Sequence, residues 1–167
     1  MVLIKYLKSS PINNDVLFAE YKEGPDNFDE WFSLVKEKYP NIKGIYCSNN
    51  KLVTLNCPGI DTIYCQYNNL IDIYCPDCKK LYCHDNELIE IYGPNINTLI
   101  CNQNPDLRYI EAPELKRLKY DKRCDIEIPL DLKNPIIEGQ DGKYLKYSDV
   151  IENMIIYHNN TKSARKT

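Results

Sequence analysis

The apolar positions of this chain recur on two periods at once. From Ile42 onward a step of 18 residues brings the sequence back into register with itself, and such self-similarity is the mark of stacked repeats. The turns run from Ile42 to Gly59, Ile60 to Asp77 and Cys78 to Asn95; a fourth starts at Ile96 with one extra residue near Pro105, and a degenerate fifth starts at Leu115. Ile45, Ile63, Leu81, Leu99 and Leu118 share one column, followed two residues on by Cys47, Cys65, Cys83, Cys101 and Tyr120. Asn50, Asn68, Asn86 and Asn104 come next, then Leu52, Leu70, Leu88, Leu107 and Ile126, then Leu55, Ile73, Ile91 and Ile110. Each turn closes on Cys57, Cys75, Gly93 or Ala112, followed by Pro58, Pro76, Pro94 or Pro113. Within a turn the alternation is that of a strand, so Ile45 and Cys47 point to one face and Tyr46 to the other. The same spacing returns as Leu55-Asn56-Cys57 and Ile73-Tyr74-Cys75. Each turn is therefore expected to be a flattened coil with extended structure on two sides.

Elementary chemistry gives each column a task. Cysteine is a compact apolar residue commonly buried as a free thiol, which suits a narrow interior. The asparagine amide can bond backbone groups of adjacent turns where the strand bends inward. Without it such a bend would bury unpaired amides at a cost of about 1–3 kcal/mol each. Proline fixes φ at the end of the turn and holds the preceding residue extended.

The columns read I-x-x-I-Y-C-x-x-N-x-L-x-x-I-x-C-P-x, which resembles the leucine-rich-repeat motif L-x-x-L-x-L-x-x-N/C-x-L over residues 42 to about 126, roughly half the chain. The repeat is shorter than the family's usual length of about 20–29 residues. No full helix fits on the outer side of so short a turn. The nearest resemblance is to the shortest variants, those of bacterial effectors and of large DNA viruses of amoebae. It implies a leucine-rich-repeat solenoid (α/β superfamily, here β-rich) of about five turns, with a strand face that binds a protein partner.

A stack of turns exposes apolar ends and needs caps. Residues 1–41 are expected to form the N-terminal cap, 42–126 the solenoid, and 127–167 the C-terminal cap. Asp26 or Asn27 would begin a helix over about 27–39, with Phe28, Trp31, Phe32 and Val35 on one face and Pro40 ending it. Leu3 to Leu7 and Val16 to Tyr21 are short strands or part of the same cap. Ile126 to Gly139 is broken by proline and mostly extended, and Asp141-Gly142 signals a turn. A second helix is expected over about 148–158, with Val150, Ile151, Met154 and Ile155 on one face, before a polar, basic and disordered tail from Asn159 to Thr167.

Charge narrows the function classes. A formal net charge of -3 on 167 residues is not the basic footprint of a nucleic-acid binder. No apolar run approaches the roughly 18 residues that cross a bilayer, and the apolar stretch from Met1 to Lys8, interrupted by Lys5, reads as too short for a signal peptide's core. The chain is expected to be soluble and intracellular, in the host cytoplasm if viral, with no nucleic acid or membrane among its partners. In that setting the eight cysteines are expected to be reduced.

Candidate chemistry is sparse. Cys75, Cys78, Cys83 and His84 offer four candidate zinc ligands within ten residues, but Cys75 and Cys83 occupy repeat columns and Cys78 replaces Ile42 and Ile60. A Cys83–His84 dyad is disfavoured because neighbouring strand residues point to opposite faces. With no phosphate-binding loop and no paired carboxylates, the expectation is no enzyme, no cofactor and no catalytic residue. What remains is surface. Tyr46, Tyr64, Tyr82 and Ile100 form an outward stripe beside Thr62, Lys80, Thr98 and Arg117, and beside Ser48, Gln66, His84 and Asn102. Tyrosine buries much area at little rotamer cost and is common at binding hot spots. It also favours strands for its own sake, and Tyr74 and Tyr92 form a second stripe on the other face. The leading expectation is an interaction module acting through the first stripe. The alternatives are a zinc-stabilised structural or regulatory domain and a substrate adaptor in ubiquitin transfer. The oligomeric state stays open.

Overall fold

An 18-residue circuit accommodates two three-residue strands and the bends between them, and the chain folds that way repeatedly. The computed structural model describes residues 5–8, 17–22, 28–121, 136–138 and 144–145. It is a β-solenoid of about four turns with parallel strands and one helix. The first side of the coil is one nine-stranded sheet. It opens with β1 (Lys5–Lys8) and β2 (Leu17–Glu20), continues through β3 (Gly44–Tyr46), β5 (Thr62–Tyr64), β7 (Lys80–Tyr82), β9 (Thr98–Ile100) and β11 (Arg117–Lys119), and closes with β12 (Ile136–Glu138) and β13 (Tyr144–Leu145). From β2 to β12 the pairing is parallel, while β1 and β13 add at the edges antiparallel. The register is that of the sequence columns, with Ile45 beside Ile63, Leu81 and Leu99.

The second side of the coil is an outer ribbon of β4 (Thr54–Asn56), β6 (Asp72–Tyr74), β8 (Glu90–Tyr92) and β10 (Tyr109–Glu111). It is not continuous. β4 pairs with β6 and β8 pairs with β10, leaving a break between β6 and β8. At the break Asp72 and Glu90 hold the same register position, and like charges facing each other across strands oppose pairing.

The helix α1 (Phe28–Lys38) does not stand at the end of the stack. It occupies the crossover between β2 and β3, where the step from Ala19 to its partner Ile45 is longer than an 18-residue turn. Phe28, Trp31, Phe32 and Val35 lie one helical turn apart and are all buried. Asp29 and Glu30 in its first turn and Lys36 and Lys38 in its last complement the helix dipole. The Lys36 ammonium lies over Gly59, so the helix sits against the first turn of the solenoid. Gly59 itself takes a φ of 76°, a conformation that side-chain-bearing residues avoid. The strand column thus begins one step before the repeat is legible, with Tyr21 in the place that cysteine takes in later turns. Tyr21 is bonded to Tyr46 through its backbone N–H and is buried against Phe28 and Trp31. The expected C-terminal helix at 148–158, the column residue Ile126 and the tail lie outside the described residues.

The core is one continuous apolar column down the coil, running from the aromatic cluster under α1 through the Ile, Leu and Cys columns to Leu118 and Tyr120. Among the described residues no helix is long and apolar enough to cross a membrane.

Candidate functional site: the strand face of the sheet

The alternation of the short strands builds this surface. In β5 and β9 the central residue is fully buried and its neighbours are half-exposed. Tyr46, Tyr64, Tyr82 and Ile100 fall in register on four adjacent strands. The three phenol rings stack almost parallel, with centroids 4.4 Å apart for Tyr46–Tyr64 and 4.5 Å for Tyr64–Tyr82. That spacing is close to the separation of paired strands, so the sheet sets the stack. Burial first, and then the neighbouring Tyr46, push the Tyr64 phenol up from its ordinary pKa. Burial and Tyr64 do the same for Tyr82, partly offset by the positive charges of Lys80 and Arg117. The Tyr64 and Tyr82 phenols are therefore held in the neutral form, and Tyr82 lies within the influence of two cations.

The flanking column is half-buried. Ser48 Oγ donates to the Tyr64 carbonyl at 3.2 Å. His84 Nδ1 lies 2.6 Å from Asp85 Oδ2, and its ring meets Tyr67 edge-on at 5.1 Å. Gln66 Oε1 is buried with no hydrogen-bond partner among the described residues. Tyr67 is also strained. Asn49, Tyr67, Asp85 and Gln103 form a column of positive φ between 56° and 60°, which asparagine and aspartate tolerate and a bulky ring does not.

Beneath this face the Asn column organises the bends. Asn68 Oδ1 accepts from the N–H groups of Asn50 at 2.8 Å and Leu52 at 3.1 Å, while its Nδ2 donates to the carbonyls of Cys47 and Cys65. Asn86 repeats the pattern on Leu70, Cys65 and Cys83, and Asn104 repeats it on Leu88, Cys83 and Cys101. Asn50 reaches back to the Tyr21 carbonyl at 2.9 Å. All four are buried, so each amide answers backbone groups that water does not reach.

No family model, curated protein or solved structure matches this chain. What the site can do must therefore be read from its own residues.

The thiols offer little reactivity. All seven described cysteines are buried and unbridged. Burial raises the pKa of Cys47, Cys57, Cys65 and Cys83, and a hydrogen bond with Cys75, followed by burial, raises that of Cys78. Protonated buried thiols are poor nucleophiles. Cys65 and Cys101 instead use their S–H groups as weak donors to the carbonyls of Tyr82 and Lys119, each at 3.5 Å. Of the four candidate zinc ligands, the structure brings together Cys75 and Cys78, whose turn is closed by Cys78 N–H donating to the Cys75 carbonyl at 3.1 Å. Cys83 is fully buried in the interior and His84 lies on the strand face. Among the described residues no three His, Cys, Asp or Glu side chains are placed to hold one metal ion.

Beside the second tyrosine stripe, an apolar edge column went unnoticed in the sequence. Val53, Ile71 and Ile89 are large, exposed and in a single column at the edge of the outer ribbon, and Tyr74, Tyr92 and Tyr109 are exposed on its strands. Valine or isoleucine beside the buried Leu52, Leu70 and Leu88 reads as more core. The chain in fact bends there, with the Ile71 N–H donating to the Val53 carbonyl at 2.9 Å.

Proposed function

We propose that this protein is a non-enzymatic interaction module of leucine-rich-repeat type, of the kind deployed by viruses or bacterial effectors against a host, and that it binds a partner protein through the strand face of its sheet. The observation that carries the reading is the half-exposed Tyr46–Tyr64–Tyr82 stack, held in register by an unbroken sheet. Stacked rings on paired strands are pre-organised, so a partner would meet apolar area whose ordering cost has been met by folding. Ile100 extends the stripe, and Lys80, Arg117, Gln66, His84 and Asn102 supply polar contacts around it. The repeat columns support the family resemblance, and the outer side, too short for a helix in turns after the first, agrees with a variant of unusually short repeat.

The test is affinity capture from host cells with the wild-type chain and with the double variant Tyr64→Ala/Tyr82→Ala. Loss of a specific captured protein from the variant, with the near-ultraviolet and far-ultraviolet spectra retaining a folded signature, supports the assignment. An identical captured set rejects it.

A further inference from the structure

The two sides of the coil are chemically opposite. Outward strand positions on the nine-stranded sheet from β3 to β11 include Lys80, Arg117 and Lys119 and no acid. Outward positions on the outer ribbon include Asp72, Glu90 and Glu111 and no base. Six of the large exposed apolar side chains of the described residues also lie on the outer side, from Tyr109 at 37% exposure to Tyr74 at 57%. Contiguous apolar exposure of this kind marks interaction surfaces.

The pattern is tightest at the break in the ribbon. There Ile71-Asp72-Ile73-Tyr74 on one rung stands over Ile89-Glu90-Ile91-Tyr92 on the next, with Ile73 and Ile91 buried and the other six side chains exposed. Asp72 and Glu90 share a register position, and neither carboxylate has an ion pair or hydrogen bond among the described residues. The two carboxylates are thus like charges on adjacent rungs that no cation among the described residues pairs with. A cation supplied from outside would relieve that repulsion, and the flanking tyrosine rings add an attraction to its positive charge. The isoleucine pair would cover aliphatic neighbours of the cation.

We infer that this patch is a second docking surface, distinct from the tyrosine stack, and that its occupant is a basic, aliphatic segment of a partner protein. A Lys or Arg of that segment lies between Asp72 and Glu90, and its apolar neighbours rest on Ile71 and Ile89. Arginine is the better fit, because its planar guanidinium can bridge two carboxylates and stack on a phenol.

Fluorescence anisotropy with a labelled peptide of alternating Arg and Leu, against a matched Glu and Leu peptide, tests this on the full chain. The Arg peptide is expected to bind, and to bind more weakly as salt rises. Asp72→Lys/Glu90→Lys and, separately, Ile71→Ser/Ile89→Ser should each weaken it by about tenfold or more, while Tyr64→Ala/Tyr82→Ala leaves it unchanged. If charge reversal perturbs folding, Asp72→Asn/Glu90→Gln serves in its place with the same expected direction. The inference is overturned if no peptide binds, if the Glu peptide binds equally, or if the Ile substitutions have no effect. Sedimentation showing a dimer that Ile71→Ser/Ile89→Ser dissolves would also overturn it, because a second copy would then be the occupant.

Discussion

The step from β2 to β3 and the steps that follow it solve one problem with different amounts of chain. The first circuit, from Ala19 to Ile45, is long enough to carry α1 on its outer side; the three circuits from Ile45 to Leu99 return after 18 residues and the next after 19, and each carries a three-residue strand there. The interior changes accordingly. Under the helix it is aromatic, built of Tyr21, Phe28, Trp31 and Phe32 with ring centroids 5.0 to 5.9 Å apart. Between two ribbons it is aliphatic and sulfur-rich, with Cys47, Cys65, Cys83 and Cys101 in file. Stacked layers leave a gap that side chains must fill to native density, so circuit length decides interior width and width selects residue size. The step from Tyr21 to Cys47 in a single column follows that change in circuit length.

This contrast can be broken most forcefully with alkali. In the short circuits Cys47, Cys57, Cys65, Cys78 and Cys83 hold their protons above the ordinary thiol value of 9.0. The unfolded chain releases its thiol protons near that value and the folded chain keeps them. The unfolded state then binds fewer protons, and stability falls as pH rises. The stabilisation is fully present below about pH 8 and declines by about 1 kcal/mol per thiol between about pH 9 and 10, or about 5 kcal/mol for the five. Denaturant midpoints measured under reducing conditions should show this decline, and Cys65→Val/Cys83→Val should make it shallower. An unchanged slope in the variant would mean that the thiols are not the titrating groups.

Next in size is Trp31→Ala, which empties the widest part of the interior and should cost about 4 kcal/mol. Hydrogen exchange should place the loss in α1, β2 and β3 and leave β7 and β9 protected; a uniform loss would show that the two regions form one cooperative unit. The smallest effect has the opposite sign. Tyr67→Asn relieves a left-handed residue in the short circuits and should raise stability by roughly 1 kcal/mol. A drop in melting temperature would show that the ring's contact with His84 outweighs its strain.

Much of the solenoid was legible because its signal is multiplied. Ile45, Ile63 and Leu81, or Asn50, Asn68 and Asn86, each report the same geometry, and strands on two sides followed from the Leu55-Asn56-Cys57 echo. A short strand over Val16 to Tyr21 was among the expectations, but the place of β2 in the column was hidden because Ala19-Glu20-Tyr21 shares neither Ile nor Cys with it and lies off the 18-residue step. For the same reason α1 was expected as a cap at the end of the stack, although its apolar face was read residue by residue. The tyrosine stripe was readable from alternation alone. Its parallel stacking required the register, and the exposure of Val53, Ile71 and Ile89 required the bend, which period-two reasoning does not contain.

The Asn column has one property that its hydrogen bonds fix and its burial does not. Every amide reaches backward: Asn68 serves the backbone of the turn before it, Asn86 serves that of Asn68, and Asn104 serves that of Asn86. The bend of any turn is therefore satisfied by residues that leave the ribosome after it. The growing end always carries the open donors, and each newly made turn latches its predecessor.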